Sequence, residues 1–232
     1  MTSSVPRETP PPPPPESAAV VFGGRLPAAA EYAAWLAGPG TERGLLGPRE
    51  VDRLWERHLL NCAVLGEAVP AGVTVADLGS GAGLPGIPLA LARPDLEVTL
   101  IEPLLRRATF LSEVVAALGL DRVEVVRSRG EELHGRRTFQ VVTSRAVAPL
   151  ERLLGWSVPL VADGGTVLAM KGASAAEEVA AVLAVPGLLP RLGIEPPEVA
   201  QVGDAVLSEP ATVVRAVVGP RRRLPSRSRR QH

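Results

Sequence analysis

From Val73 to Met170 the chain alternates short, β-branched apolar runs with helical stretches, and this alternation restricts the fold more than any other feature. The runs are "VTVADL", "EVTLIE", "VEVVRS", "FQVVTS" and "GTVLAM", the form expected of parallel strands buried on both faces. Between them lie "LPGIPLALA", "RRATFLSEVVAAL" closed by Gly119, a short "EELHG" and "PLERLLGWSVPLV". In the second of these Phe110, Leu111, Val114, Val115 and Leu118 form one apolar stripe at helical spacing, which is core. After Lys171 follow a helix around "SAAEEVAAVLA" and two last strands, the clearer being "ATVVRAVV". Repeated strand-helix units predict an α/β domain with a doubly wound parallel sheet, whose ligands bind at the carboxyl ends of the strands.

The flanks read differently. Residues 1–18, with the run Pro10 to Pro15, predict a disordered leader or a docking motif in polyproline II form. Residues 19–70 predict a small helical layer: "LPAAAEYAAWLAG" is a helix closed by Gly38 and Pro39, and "PREVDRLWERHLLNC" one that begins at Pro48. The α/β domain is expected over 71–219 and a basic disordered tail over 220–232.

At 232 residues and 46% apolar content the chain can fill one sizeable core. The formal net charge is zero, so charge total points to neither nucleic acid nor membrane, and charge placement matters more. Lys171 is the only lysine, so arginine usage carries a codon bias and each arginine needs its own argument. One cysteine, Cys62, excludes an internal disulfide, and the N-terminus has no apolar signal segment. No apolar run reaches the roughly 18 residues of a membrane span. A cytoplasmic, soluble protein is expected.

At the first strand end stands "VADLGSGAGLPG". In one register Gly81, Gly83 and Gly86 satisfy the dinucleotide pattern, with Glu102 at the distance of a ribose-binding acid, which is the reading of a nicotinamide-dependent oxidoreductase. In the other, Asp77, Gly79, Gly81 and Gly83 form acid-x-G-x-G-x-G. That places a carboxylate beside the ligand, where it repels a pyrophosphate and favours the sulfonium and ammonium of S-adenosylmethionine. Glu102 suits either adenosine ligand, accepting from both ribose hydroxyls. At the third strand end, Glu131 or the backbone at Gly130 meets an adenine ring, or Glu131 and Glu132 are solvated helix N-terminal acids. Lys171 ends the fifth strand facing the crevice. His58 shares an apolar side with Val51, Leu54, Trp55 and Cys62, as a core histidine does.

These residues carry a resemblance. "DLGSGAGLPGIPLALARPDLEVTLIEPLLRRATFLSEV", "RSRGEE", "SRAVA" and "MKG" resemble the bacterial small-subunit ribosomal RNA methyltransferase G family, the glucose-inhibited division protein B family, from roughly Leu45 to Val218. The resemblance implies a class I, Rossmann-like S-adenosylmethionine-dependent methyltransferase with a mostly parallel seven-stranded sheet. It implies methylation of guanine N7 in the decoding region of 16S rRNA, free or in a small-subunit precursor; a methyltransferase of a small molecule or protein has the same turn but needs no basic tail. Gly79, Leu84, Gly130, Glu131 and Arg145 match its cofactor-contacting positions, and Arg145, Lys171 and His58 become catalytic candidates. In "ERHLLNC" Asn61 and Cys62 stand where the family has Asp and Ser. N7 already presents a lone pair, so neither a base nor a metal is required. Arg106, Arg107 and the tail's Arg221, Arg222 and Arg223 are the candidate RNA contacts, or in the tail a solubilising extension.

Overall fold

The computed structural model describes residues 11–220. Met1–Pro10 of the expected leader, and Arg221, Arg222 and Arg223 of the expected tail, lie outside the described residues. The polypeptide opens with α1 (Glu16–Phe22), a 3-10 turn and α2 (Leu26–Trp35). A continuous helical path then runs from Pro48 to Ala68, changing from 3-10 to π at Leu54 and passing through α3 (Asn61–Ala63). The α/β part follows as β1 (Thr74–Leu78), α4 (Gly86–Ala92), β2 (Glu97–Ile101), α5 (Leu105–Ala117), β3 (Val123–Val126) and β4 (Phe139–Arg145). It ends with α6 (Leu150–Ser157), β5 (Val161–Lys171), α7 (Ala175–Leu183), α8 (Leu188–Leu192), β6 (Glu198–Val202) and β7 (Ala211–Val217).

The strands form one seven-stranded sheet in the order β3-β2-β1-β4-β5-β7-β6. β1 to β5 are parallel, and β7 enters antiparallel between β5 and β6. The order reverses between β1 and β4, where crossovers leave in opposite directions and open a crevice at the strand ends. Register brings Asp77 beside Leu100 of β2 and Thr143 of β4. Asp77, Glu102, Arg145 and Lys171 therefore stand along one edge.

Alternate strand residues serve two cores, as the period of two demands. Val75, Val98, Val141, Leu168 and Val213 face α4, α5 and the helical layer, whereas Ala76, Val142, Val167 and Val214 face α6, α7 and α8. The stripe on α5 is core as expected, Phe110, Leu111 and Val114 being fully buried.

Three expectations change in the N-terminal part. Helix begins at Glu16, inside the expected leader, because Ala18 is fully buried and the Trp55 indole donates to the Pro12 carbonyl at 2.8 Å. The segment from Pro11 to Ala18 thus belongs to the packed layer. Nor do Gly38 and Pro39 close the second helix. It widens into a π turn over Leu36–Gly40 with Pro39 inside, and the Thr41 hydroxyl donates to the Leu36 carbonyl at 3.1 Å. A wider turn accommodates a residue with no N–H and a bulky ring. The helix expected from Pro48 does begin there, as 3-10 rather than α.

Phe110 joins the layer to the sheet: its ring meets Trp35 edge-on at 6.0 Å and carries the Arg43 guanidinium at 5.7 Å. Phe110→Ala should destabilise the chain by roughly 3–5 kcal/mol. Val20→Ala, at a position 79% exposed, should change stability by no more than about 0.5 kcal/mol. Urea denaturation of both variants checks this.

Candidate active site

β1 delivers Asp77 to the strand end, and the chain then reverses through three left-handed glycines, Gly79 (φ 74), Gly81 (φ 59) and Gly83 (φ 102). L side chains rarely adopt such angles. At Gly79 space is tight as well, a Cβ there lying 3.0 Å from a Val147 methyl that would have to give way. The amides of Gly79 and Ser80 donate to the Ile101 carbonyl at 2.9 and 3.2 Å, tying the turn to β2. Tyr32, the one tyrosine, reaches from the helical layer to donate to the Ala82 carbonyl at 2.9 Å.

Two carboxylates organise this turn. Asp77 is fully buried, and its Oδ2 accepts from the Gly86 amide at 3.0 Å. Its Oδ1 is buried with no hydrogen-bond partner. Burial, only partly offset by the Gly86 amide, pushes this carboxyl up to about 7. Glu102, 2% exposed, accepts from the Gly81 amide at 3.0 Å and from the Leu104 amide at 2.9 Å. Leu84 is half-buried against the core. At the end of β3 Gly130 is buried, and a Cβ there would stand 2.6 Å from Leu78. Of the acids in "GEEL", Glu132 closes the turn by accepting from Ser128 and the Arg129 amide, whereas Glu131 is exposed.

Beside the turn opens a cavity of about 1150 Å³ whose lining includes Arg57, Asn61, Arg145, Val147, Lys171 and Glu178. Val147, packed on Gly79 and lining the cavity, stands between the two. Its neighbour Ala146 holds φ 54, a strained setting for a residue with a Cβ. Arg145 spans to the helical layer, donating from Nη1 to Cys62 Sγ at 3.0 Å and from Nη2 to the Arg57 carbonyl at 3.1 Å. Lys171, its side chain 8% exposed, donates to the Ala148 carbonyl at 2.8 Å and to Glu178 at 2.7 Å.

His58 is not among the residues lining this cavity. Its Nε2 pairs with Glu50 at 2.8 Å, while Nδ1 is buried without a partner. Burial and then the Arg145 charge hold the imidazole below its ordinary range against the opposing pull of Glu50, so it is neutral at neutral pH. Arg106 is exposed on the first turn of α5. Arg107 instead turns toward Glu102, 3.9 Å away, with its Nε buried and unpartnered. Sequence reading overlooked Val147, Glu178, Glu50 and Tyr32. Only Tyr32 left a signal, as a lone hydroxyl in an apolar helix.

An unpartnered buried carboxylate oxygen, a ribose-type acid and a turn of left-handed glycines fit a cationic adenosine ligand. Together with the sheet order they define a class I S-adenosylmethionine-dependent methyltransferase. A Thermotoga maritima S-adenosylmethionine-dependent O-methyltransferase shares the fold at TM-score 0.51, with 17% identity over 71% of this chain and 66% of that one. A Geobacter metallireducens precorrin-6y C5,15-methyltransferase does so at TM-score 0.50, with 15% identity over 75% and 90%.

The profile of the GidB family, rRNA small subunit methyltransferase G, matches residues 25–186, and the chain belongs to that family. The ribosomal RNA small subunit methyltransferase G of a Nocardioides species is 58% identical over 94% of this chain and 85% of its own length. Those of Streptomyces coelicolor and Rhodococcus jostii are 59% and 55% identical, over 85% and 87% of this chain and 82% and 88% of their own. Among the described residues no group of three His, Cys, Asp or Glu side chains could hold a metal, and no helix is long and apolar enough to cross a membrane.

Asp77→Asn tests the buried acid, since the amide oxygen can still accept from Gly86. A carboxyl raised from its ordinary value near 3.8 to about 7 favours the folded state fully below pH ~4, and that contribution is lost as pH rises through 7. The Asn variant should therefore melt higher than the parent at pH 8, with the margin closing toward pH 5. Its affinity for S-adenosylmethionine at pH 8 should fall by about tenfold or more, the scale of one charge-assisted contact. Thermal melts and titration calorimetry read both effects, and a pH-independent margin contradicts the raised carboxyl.

Proposed function

We propose that this chain transfers a methyl group from S-adenosylmethionine to N7 of a guanine in the decoding region of 16S rRNA, in the cytoplasm, on free RNA or on a small-subunit precursor. The observation that carries the reading is the junction at Val147. On one side lies the glycine turn with its two carboxylates, which favour a cation. On the other lies a cavity whose lining sets Arg53, Arg57, Arg145 and Lys171 against Glu56, Glu178 and Glu209, a small cationic excess that suits an anionic ligand. The family membership and the names of the relatives support the same substrate.

When bound, the cofactor supplies an electrophilic methyl group on a sulfonium. The rest falls to the protein as alignment and exclusion of water. Asp77 and Glu102 hold the turn at the strand ends. Val147 and the strained Ala146 define the wall through which the two ligands meet. Arg145 has two N–H groups committed to Cys62 and Arg57, and its other donors serve the base oxygen O6 while leaving N7 open. His58, neutral and paired with Glu50, braces the layer that holds Arg145. The nucleophile carries no proton on N7, so a general base is superfluous. Arg106 and the tail arginines Arg221, Arg222 and Arg223 are proposed phosphate contacts.

Mapping the methylated atom in 16S rRNA treated with the purified chain tests the reading. Methyl on guanine N7 is expected, and an exocyclic or ribose methyl overturns it. Single-turnover rates at saturating cofactor should stay nearly flat from about pH 6 to 8.5, where a general-base histidine with a pKa near 6.5 would show a rise. Arg145→Lys should lower the rate by about tenfold or more with a smaller drop in RNA affinity, because an ammonium cannot reproduce the planar donor fork. Deleting residues 220–232 should leave cofactor affinity unchanged and reduce the log–log salt slope of RNA binding by about 0.7 to 0.9 for each phosphate that the tail neutralises.

A further inference from the structure

The loop from Ala146 to Pro149 forms the wall between glycine turn and cavity, yet it has little to hold it. Its first residue is strained and its side chains are small. What fixes it lies in the next strand and helix. Lys171 at the end of β5 donates to the Ala148 carbonyl at 2.8 Å. The same ammonium is anchored from behind by Glu178 of α7 at 2.7 Å.

Glu178 does more than pair with Lys171. Its Oε2 also accepts from the Leu150 amide at 2.7 Å, the first residue of α6, whose N-cap residue Pro149 makes no side-chain cap. Its Oε1 accepts from the Ser174 hydroxyl at 3.2 Å. One carboxylate thus holds the ammonium that grips the loop's third residue and the amide just beyond its last. A negative charge at a helix start is favoured. Burial works to raise this carboxyl, but the Lys171 and Leu150 hydrogen bonds hold it below the usual range.

We propose that Glu178 is a positioning residue for methyl transfer: through Lys171 and the Leu150 amide it sets the loop 146–149 that carries Val147 onto the glycine turn. This rests on the assignment of the cavity as the substrate side. Lys171 then acts as a clamp whose charge must persist, rather than as an acid or base. The other charged groups lining the cavity are Arg53, Glu56 and Arg57 from the helical layer, Arg145 from β4 and Glu209 ahead of β7. Glu56 is engaged by Ser208. With Glu178 neutralised, the buried ammonium loses the one carboxylate it is paired with, and loss of that counter-charge favours the neutral amine.

Because Lys171 is the one lysine in the sequence, incorporation of lysine labelled with ¹³C and ¹⁵N gives one resolvable side-chain signal. In the parent chain its ammonium protons should be protected from solvent exchange, and freely exchanging protons overturn the clamp whatever a variant does. In Glu178→Gln, which keeps an acceptor for the Leu150 amide, the titration midpoint of the labelled side chain should fall by more than one pH unit. kcat on rRNA should fall by about tenfold one pH unit above that midpoint, while KM for RNA and cofactor affinity change by less than about threefold. The rate should acquire a descending alkaline limb with the same midpoint. Placing Lys171→Arg in the Glu178→Gln background should remove that limb, since a guanidinium does not deprotonate in this range.

An unchanged lysine titration in a folded Glu178→Gln chain overturns the proposal, and so does a decrease in rate that is uniform with pH. If the methylated atom is not guanine N7, the exchange and titration arms still report on the clamp, which separates its failure from that of the substrate assignment.

Discussion

A fully buried carboxylate at the end of β1 is the constraint on which the site depends. Asp77 has one oxygen on the Gly86 amide and the other on nothing. Such a group persists only where its surroundings are fixed by other means. The start of α4 must lie against the strand end to offer that amide. Gly86 must lack a side chain, because a Cβ there would stand 2.8 Å from Asp77 Oδ2. Glu102 meets the turn from β2 and secures it through Gly81. Glu102, at the neighbouring strand end, adds to the upward push on Asp77. For a chain that bound nothing here the arrangement would only destabilise. A cationic ligand reverses the sign of that interaction.

Much of the sheet was legible because parallel strands buried on both faces leave continuous apolar runs, and a strand end followed by closely spaced glycines leaves few conformations. β1, β2, β3 and β7 fall within the runs that suggested them, β4 runs one residue past its own to Arg145, and the acid-glycine register pointed to the ligand class that the family membership supports. The helical layer was legible only in outline. The 3-10 and π turns of Pro48–Leu60, and the passage through Pro39, are set by what the layer packs against, and period-3.6 patterns do not record that. The leader boundary erred for a related reason: a proline run carries no core signal of its own, and Trp55, far along the chain, is what captures the Pro12 carbonyl.

Side-chain partners were the least legible. Arg145 was singled out for a ligand, but its hydrogen bonds to Cys62 and to the Arg57 carbonyl cross more than eighty positions. Nothing at either end advertises the pairing. Lys171 and Glu178 lie closer in sequence, yet one ends a strand and the other sits a helical turn into α7, so spacing alone could not bring them together. His58 was read as core from its apolar neighbours and as a catalytic candidate from the resemblance. Its burial agrees, and the structure adds Glu50 as the partner that fixes one ring nitrogen.

The N-terminal layer works as a common reference for both halves of the site. Tyr32 holds the glycine turn through the Ala82 carbonyl. Arg57 and Cys62 hold Arg145. Glu67 accepts from the Gly203 amide at 2.9 Å, and Gly203 packs so closely on Val64 that a Cβ there would lie 2.8 Å from three of its atoms, which ties the layer to the loop after β6. An in-line transfer is sensitive to errors of about 1 Å in the approach of nucleophile to electrophile. Two sites carried on separate loops would accumulate that error independently. Two sites referred to one buried layer share their displacements, so the separation across Val147 is held while either side adjusts to its ligand. Within the layer Tyr32 rides on the regular α2, whereas the Arg57 carbonyl that holds Arg145 is presented from the π turn Leu54–Leu60.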